Sequence, residues 1–191
     1  MKKLIYIIIL SFFCCNITFA DYLTNLKTKA DAGDPMAQNN LGHIYLYGNE
    51  ELNVEIDQEK GIDYLNKAAE QEQVNAMTTL GWNYFLGENG AEQNDEQAIL
   101  WNARASELGF PVATYNLGFF YYSGLAGVKQ DLSKAKQYWL LCASQWIETW
   151  NHGSSTPEDL LEEINSFNPN PSEEMIKLRD LFISLLKSIP A

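Results

Sequence analysis

Cysteine is scarce and badly placed for cross-linking. Of the three in the chain, Cys14 and Cys15 fall among the first fifteen residues and Cys142 stands alone, so a body beginning after residue 20 has no pair to oxidise and must stand on its apolar core. Histidine is scarcer still, with two residues, His43 and His152. Neither has a carboxylate or cysteine at ligand spacing, so no metal and no cofactor is expected. No H-E-x-x-H, G-x-S-x-G or phosphate-loop pattern occurs. The 25 acidic residues give no reason to select two as an acid–base pair, so the chain is expected not to be an enzyme. Positive charge is also short. Thirteen Lys and Arg against 25 acids leave a formal net charge of −12, which repels nucleic acid and anionic lipid. Finally, the uncharged run Leu4–Phe13 falls short of the roughly 20 residues of a spanning helix.

That short run has a different meaning. Lys2 and Lys3 precede it, and Thr18-Phe19-Ala20 places small residues three and one positions before Asp21. This is the layout of a secretory signal peptide over residues 1–20, cleaved near Ala20–Asp21. A periplasmic location follows as an expectation, with no stable membrane insertion after cleavage. Lipoprotein processing would want a small residue ahead of its cysteine, whereas Cys14 follows Phe13 and Cys15 follows Cys14. Losing residues 1–20 from 191 leaves 171, and losing Lys2 and Lys3 takes the net charge to −14. Such a body favours a basic partner, although the plainer meaning of the charge is solubility.

What the chain has in quantity is repetition. In FPVATYNLGFFYYSGLAGVKQDLSKAKQYWLLCA, from Phe110 to Ala143, Ala113, Leu117, Gly118, Gly124, Ala135 and Tyr138 fall on Ala76, Leu80, Gly81, Gly87, Ala98 and Trp101 when laid 37 residues back. An earlier copy starts at Ala37, with Leu41, Gly42 and Gly48, then Gly61, Tyr64 and Ala68. A fixed period of this size marks a solenoid, in which each unit buries its apolar face by stacking on its neighbours. In each copy an A helix sets Ala, Leu and Tyr on one face, as in Ala37/Leu41/Tyr45. The glycine after each Leu predicts a close helix crossing, with Ala68, Ala69, Ala105, Cys142 and Ala143 of the B helices as the small residues that permit it. Cys142 occupies the place of Ala68 and Ala105 and reads as a small buried hydrophobe.

Asp57, Asn94 and Asp131 recur just ahead of the B helices as N-caps, and Asn94 with Gln97 has capping-box spacing. As a metal site they would lie a full repeat apart and match no calcium loop. The first A–B connection is two residues longer than the others and carries Glu50, Glu51, Glu55, Asp57 and Glu59; it reads as a solvated loop, with a binding edge as the alternative. The expected organisation is an N-terminal capping helix over 21–36, three repeats over 37–146 and a C-terminal helical cap over 147–191. After Trp146 the period fails, Thr149–Ser155 reads as a connection, and the last helix is a cap or, alternatively, a partner-binding or dimerising element.

The blocks AGDPMAQNNLGHIYLYG and FPVATYNLGFFYYSGLAGVKQDLSKAKQYWLLCA resemble Sel-one-like repeats, αα-solenoid relatives of the tetratricopeptide repeat. The pattern Ala-x-x-x-Leu-Gly-x-x-Tyr, a glycine loop ending in Gly-Val, Asp, Lys-Ala and Trp is nearly complete over Ala113–Trp139; Gly90-Ala91 departs from it in the second copy and the long loop in the first. The resemblance implies an all-α, right-handed superhelix of helix-turn-helix repeats, acting as an adaptor or scaffold that holds another protein in the cell envelope. An immunity-type inhibitor of a toxin is the first alternative, and a cell-wall or β-lactam hydrolase the second. Some cysteine-rich secreted relatives are linked to β-lactam binding or hydrolysis, but this chain lacks their paired cysteines.

Helical geometry nominates a surface. If Ala37, Leu41 and Tyr45 face the core, residue 43 lies nearly opposite. The equivalent positions give His43, Trp82 and Phe119, bordered by Asn39, Thr78 and Tyr115, with Phe85 and Tyr122 a turn further on. These form the expected partner-binding groove, Tyr115 and Tyr122 being expected to be partly exposed. The competing reading makes Trp82 and Phe119 packing between repeats.

Overall fold

The computed structural model describes residues 19–150, with side chains to residue 146. Residues 1–18 of the expected leader over 1–20, residues 151–191 of the expected C-terminal cap over 147–191, and His152 lie outside the described residues. Among the described residues seven helices follow in order: α1 over residues 19–31, α2 Pro35–Tyr47, α3 Gln58–Glu70, α4 Val74–Leu86, α5 Asp95–Glu107, α6 Pro111–Ser123 and α7 Leu132–Trp150. Thus α2, α4 and α6 are the A helices, and α3, α5 and α7 the B helices. Helix α7 is longer than the sequence period foretold. It runs past Trp146 through Thr149 and Trp150, which the sequence reading gave to a connection.

The B helices start where the caps fall. Asp57 Oδ1 accepts the N–H of Lys60 at 3.1 Å, Asn94 Oδ1 that of Gln97 at 3.0 Å and Asp131 Oδ1 that of Lys134 at 2.9 Å. Each cap satisfies one of the donors a helix start leaves open. The return bond of a capping box is not made at Asn94, because its N–H is already engaged. It donates to Tyr84 O at 2.8 Å, just as Asp57 N–H donates to Tyr45 O and Asp131 N–H to Tyr121 O, both at 2.8 Å. The same backbone bond therefore ties the end of every A helix to the start of its B helix. Gly87 and Gly124 end α4 and α6 in the left-handed region, at φ 69° and 66°, where a side chain would be strained.

The chain divides into two compact units, one ending at Trp101 and the other starting at Asn102. In the first, α1 packs Leu26 and Ala30 against Ala37, Leu41 and Tyr45 of α2, with Leu23, Ile44, Val54 and Tyr64 around them. Leu41, Leu65, Ala68, Ala76 and Leu80 are completely buried, and each leucine contributes about 1.5–3 kcal/mol by leaving water. In the second unit Ala113, Phe120, Ala135 and Cys142 are completely buried. The Cys142 thiol donates to Pro111 O at 3.3 Å, and burial pushes its pKa up, so it is a small packing residue rather than a reactive thiol.

The helix crossings at the glycines are close, but the small residues do not make them. A Cβ on Gly42 would lie 2.7 Å from Leu65 Cγ and 3.2 Å from Gly61 O, and one on Gly118 would run into the Trp139 indole. Leu65 and Trp139 share one position of the repeat. Gly42 and Gly118 make room for a large side chain from the B helix, while Ala68, Ala69, Ala105, Cys142 and Ala143 are buried elsewhere in the cores. Gly61 is tighter still, since a Cβ there would meet Leu46 Cγ at 2.8 Å and its backbone N at 2.9 Å. Alanine stands at the aligned positions, Ala98 and Ala135. Gly61→Ala is nonetheless expected to destabilise the chain by about 1–2 kcal/mol, because backbone overpacking outweighs the propensity gain of about 1 kcal/mol. Urea unfolding checks this, and a stabilised variant would show that α2 and α3 can part.

Candidate functional site

The A helices carry the nominated residues. Across Pro35–Tyr47, Val74–Leu86 and Pro111–Ser123 there is not one Asp, Glu, Lys or Arg. In a chain this acidic, the charge lies wholly in the B helices, the connections and the ends. An A helix that must bury most of its circumference can afford little else. Helix α2 buries Ala37, Gln38, Asn39, Leu41, Gly42, Tyr45 and Leu46, which leaves a line of Met36, Asn40, His43 and Tyr47 toward solvent.

In the first unit His43 is half-buried, with its ring stacked on Tyr47 at 6.1 Å between centroids. Burial lowers its pKa, so it is a neutral aromatic surface near neutral pH. Trp82 and Phe85 are half-buried and lie against each other at 5.5 Å. The Thr78 hydroxyl donates to Val74 O at 2.8 Å, which satisfies it within its own helix. Asn39 does not reach the surface. It is 6% exposed, and its Nδ2 donates to Asn40 Oδ1 at 3.4 Å.

In the second unit Tyr115 and Phe119 are half-buried, but Tyr122 is only 9% exposed. Its ring packs on Trp139 at 5.6 Å, and Tyr115 meets the same indole at 6.3 Å. Partial exposure of Tyr122 is therefore corrected by the structure: the indole over Gly118 covers it. Phe119 contacts Phe120 at 6.2 Å. Burial pushes the Tyr115 phenol up to about 12 from an ordinary value near 10. With the folded value raised, the neutral phenol's contribution is whole below about pH 10. It is lost as pH rises toward 12, because the unfolded chain releases its proton first. The wild type is expected to lose stability over that window, and Tyr115→Phe to flatten the loss; alkaline unfolding curves that superimpose would refute it.

The sequence reading set residue 47 beside the groove but did not nominate Tyr47, 58% exposed, or Leu86, 41% exposed, which occupy one aligned position at the ends of α2 and α4. The four-residue step from His43 to Tyr47 was the available signal. Trp139 was also missed as the neighbour of two nominated tyrosines. Among the described residues no three His, Cys, Asp or Glu side chains converge to hold a metal ion, and no helix is long and apolar enough to cross a membrane.

The geometry has counterparts in known proteins. A family profile described as Sel1 repeat matches residues 35–72, 74–110 and 111–145. A Sel1 repeat protein from Oxalobacter formigenes superposes with a TM-score of 0.57 at 34% identity, over 74% of this chain and 97% of that one. A protective antigen of uropathogenic Escherichia coli, described as displaying an SLR fold, gives 0.59 at 36% identity, over 64% of this chain and 25% of that one. Among curated proteins, chitin synthase regulatory factor 3 of Schizosaccharomyces pombe is 34% identical over 121 residues, 62% of this chain. A chitin synthase regulator of Malassezia restricta is 29% identical over 160 residues, 82% of this chain. The match spans only 13% and 10% of those two regulators. These likenesses establish an all-α repeat solenoid.

Proposed function

The chain belongs to the Sel1 repeat family, and from that premise we propose that it is an exported protein-binding module whose A helices present the contact surface. One observation carries this reading: three A helices without a charge expose or half-expose His43, Tyr47, Trp82, Phe85, Leu86, Tyr115 and Phe119. Aromatic side chains on charge-free helices, in each unit taken by itself, match the composition of a protein-interface core. Regulatory names among the relatives point the same way, toward action on another protein rather than on a small molecule. The leader pattern over residues 1–20 supports delivery to the periplasm, where the module acts as an adaptor or scaffold of the cell envelope.

Site-specific photo-crosslinking tests the surface. A photoreactive phenylalanine at His43, Trp82 or Phe119 is expected to trap one discrete protein, and the same group at Glu70 or Lys136 on the B helices is not. Equal trapping from both faces would remove the A helices as the site. N-terminal sequencing of protein recovered from the periplasm is expected to begin at Asp21, and an intact Met1 there would end the leader reading.

A further inference from the structure

The negative charge is concentrated in the first unit. From Asp34 to Trp101 there are thirteen carboxylates and two lysines, whereas Asn102–Trp146 holds two carboxylates, Glu107 and Asp131, against Arg104, Lys129, Lys134 and Lys136. Both lysines of the acidic stretch are engaged. Lys67 pairs with Asp63 at 2.6 Å, and Lys60 Nζ lies 4.3 Å from the centre of the Tyr45 ring.

Six of these acids gather at one edge. The connection after α2 is an ordered turn, held by the Asn49–Val54 bridge with N–H to O distances of 2.8 and 2.9 Å, and by Leu52 N–H donating to Asn49 Oδ1 at 2.9 Å. It exposes Glu50, Glu51, Glu55 and Asp57, and the connection after α4 exposes Glu88 and Glu92. The two connections adjoin, since a Cβ on Gly90 would meet Gln58 Cβ at 2.9 Å. The C-terminal ends of α2 and α4 arrive at the same edge and add their partial negative charge.

Apolar groups stand among these carboxylates. Tyr47 and Leu86 are the last residues of α2 and α4, and Ile56 is 63% exposed, close enough to the end of α2 that a Cβ on Gly48 would sit 3.2 Å from its Cγ1. Charge decides what can cover them. An anionic polymer or lipid surface is repelled, and so is a second copy meeting the same edge face to face. We propose that the α2–α4 edge of the first unit docks a cationic protein segment, its apolar residues on Tyr47, Ile56 and Leu86 and its Lys or Arg side chains on the flanking glutamates. The proposal rests on the protein-binding reading above and names the chemistry of the partner.

The test uses the full chain and three fluorescein-labelled peptides with a common Leu-Trp-Leu centre, flanked by Lys, Gln or Glu. Fluorescence anisotropy is read at about 0.1 M and about 1 M salt, between which the screening length falls from about 10 Å to about 3 Å. The Lys peptide is expected to bind at least about tenfold more tightly than the Glu peptide at low salt, and the gap to close at high salt. Replacing Glu50, Glu51, Glu88 and Glu92 together by Gln is expected to remove the gap. Tyr47→Ser with Leu86→Ser is expected to weaken binding about tenfold and leave the salt dependence intact. Glu107→Gln should change neither, and circular dichroism melts confirm that each variant is folded. If the Gln peptide binds as tightly as the Lys peptide, the proposal falls and the protein-binding reading stands. If none of the three binds, both fall. Lys-peptide binding that survives the serine pair is unspecific attraction and overturns the proposal, as does a self-associated dimer that excludes the peptide.

Discussion

Trp139→Ala is expected to lower unfolding free energy by about 2–4 kcal/mol, the cost of truncating a half-buried indole packed between two tyrosines. Trp139 is the wedge of the second unit. Its ring lies against Tyr115 at 6.3 Å and Tyr122 at 5.6 Å, and it sits over the bare backbone of Gly118. Glycine has no side chain to move into the space, and the two tyrosines are anchored on α6, so the cavity cannot collapse cheaply. Trp139→Leu is expected to cost less, because the first repeat places Leu65, completely buried, over Gly42 in the same way. Urea denaturation measures both. A second readout is independent of stability: without the indole, the Tyr115 phenol is expected to titrate closer to 10 than to its present value of about 12. A loss below about 1 kcal/mol for the alanine variant would show that α6 and α7 close over the gap.

The same position shows how far the sequence could be read. The period was legible because Ala, Leu-Gly and Tyr recur at fixed steps, and those steps fix helix faces. The caps were legible because Asp57, Asn94 and Asp131 act through bonds to their own helix, a few residues away. What faces each glycine was not legible. Gly42, Gly118 and Gly61 announce a close approach, but a one-dimensional pattern cannot say whether the space holds a backbone, a leucine or an indole. The groove suffered in a related way. Counting from Ala37, Leu41 and Tyr45 assumes a single buried face, whereas α2 is buried around most of its circumference. Asn39, one position off the exposed line, therefore lies inside, whereas position 47, set beside the groove but not nominated, is the one exposed. The absence of charge from all three A helices was in plain view in the sequence; it gains meaning once those helices are known to hold the exposed aromatics.

Gln145→Leu is expected to cost about 2–3 kcal/mol, because it breaks into a set of buried hydrogen bonds in the second unit. Thr114 donates to Gln145 Oε1 at 2.6 Å, and Gln145 Nε2 donates to Ser106 O at 2.9 Å. The Ser106 and Thr114 hydroxyls meet at 2.6 Å. Since a Gln oxygen can only accept, the Thr114 proton goes to it at 2.6 Å in preference to Phe110 O at 3.3 Å, and Ser106 is then the donor to Thr114. All three residues are buried, so the leucine leaves the Thr114 proton only the longer reach to Phe110 O at 3.3 Å and a lone pair on the Ser106 carbonyl without its partner. The first repeat uses the same positions in a polar way, with Gln71 Nε2 donating to Gln38 Oε1 at 2.7 Å. The second repeat carries Met77 and Leu108 at those positions in sequence, and Ala69 and Ala143 align with Ser106. The fold therefore accepts either chemistry, provided it is complete. Ser106→Ala, Thr114→Met and Gln145→Leu made together are expected to recover to within about 1 kcal/mol of the wild type, since removing every member of a network leaves no orphan. The single and triple variants compared by urea denaturation give the coupling directly. Costs that simply add would mean that the three residues act independently and that the network contributes nothing as a unit.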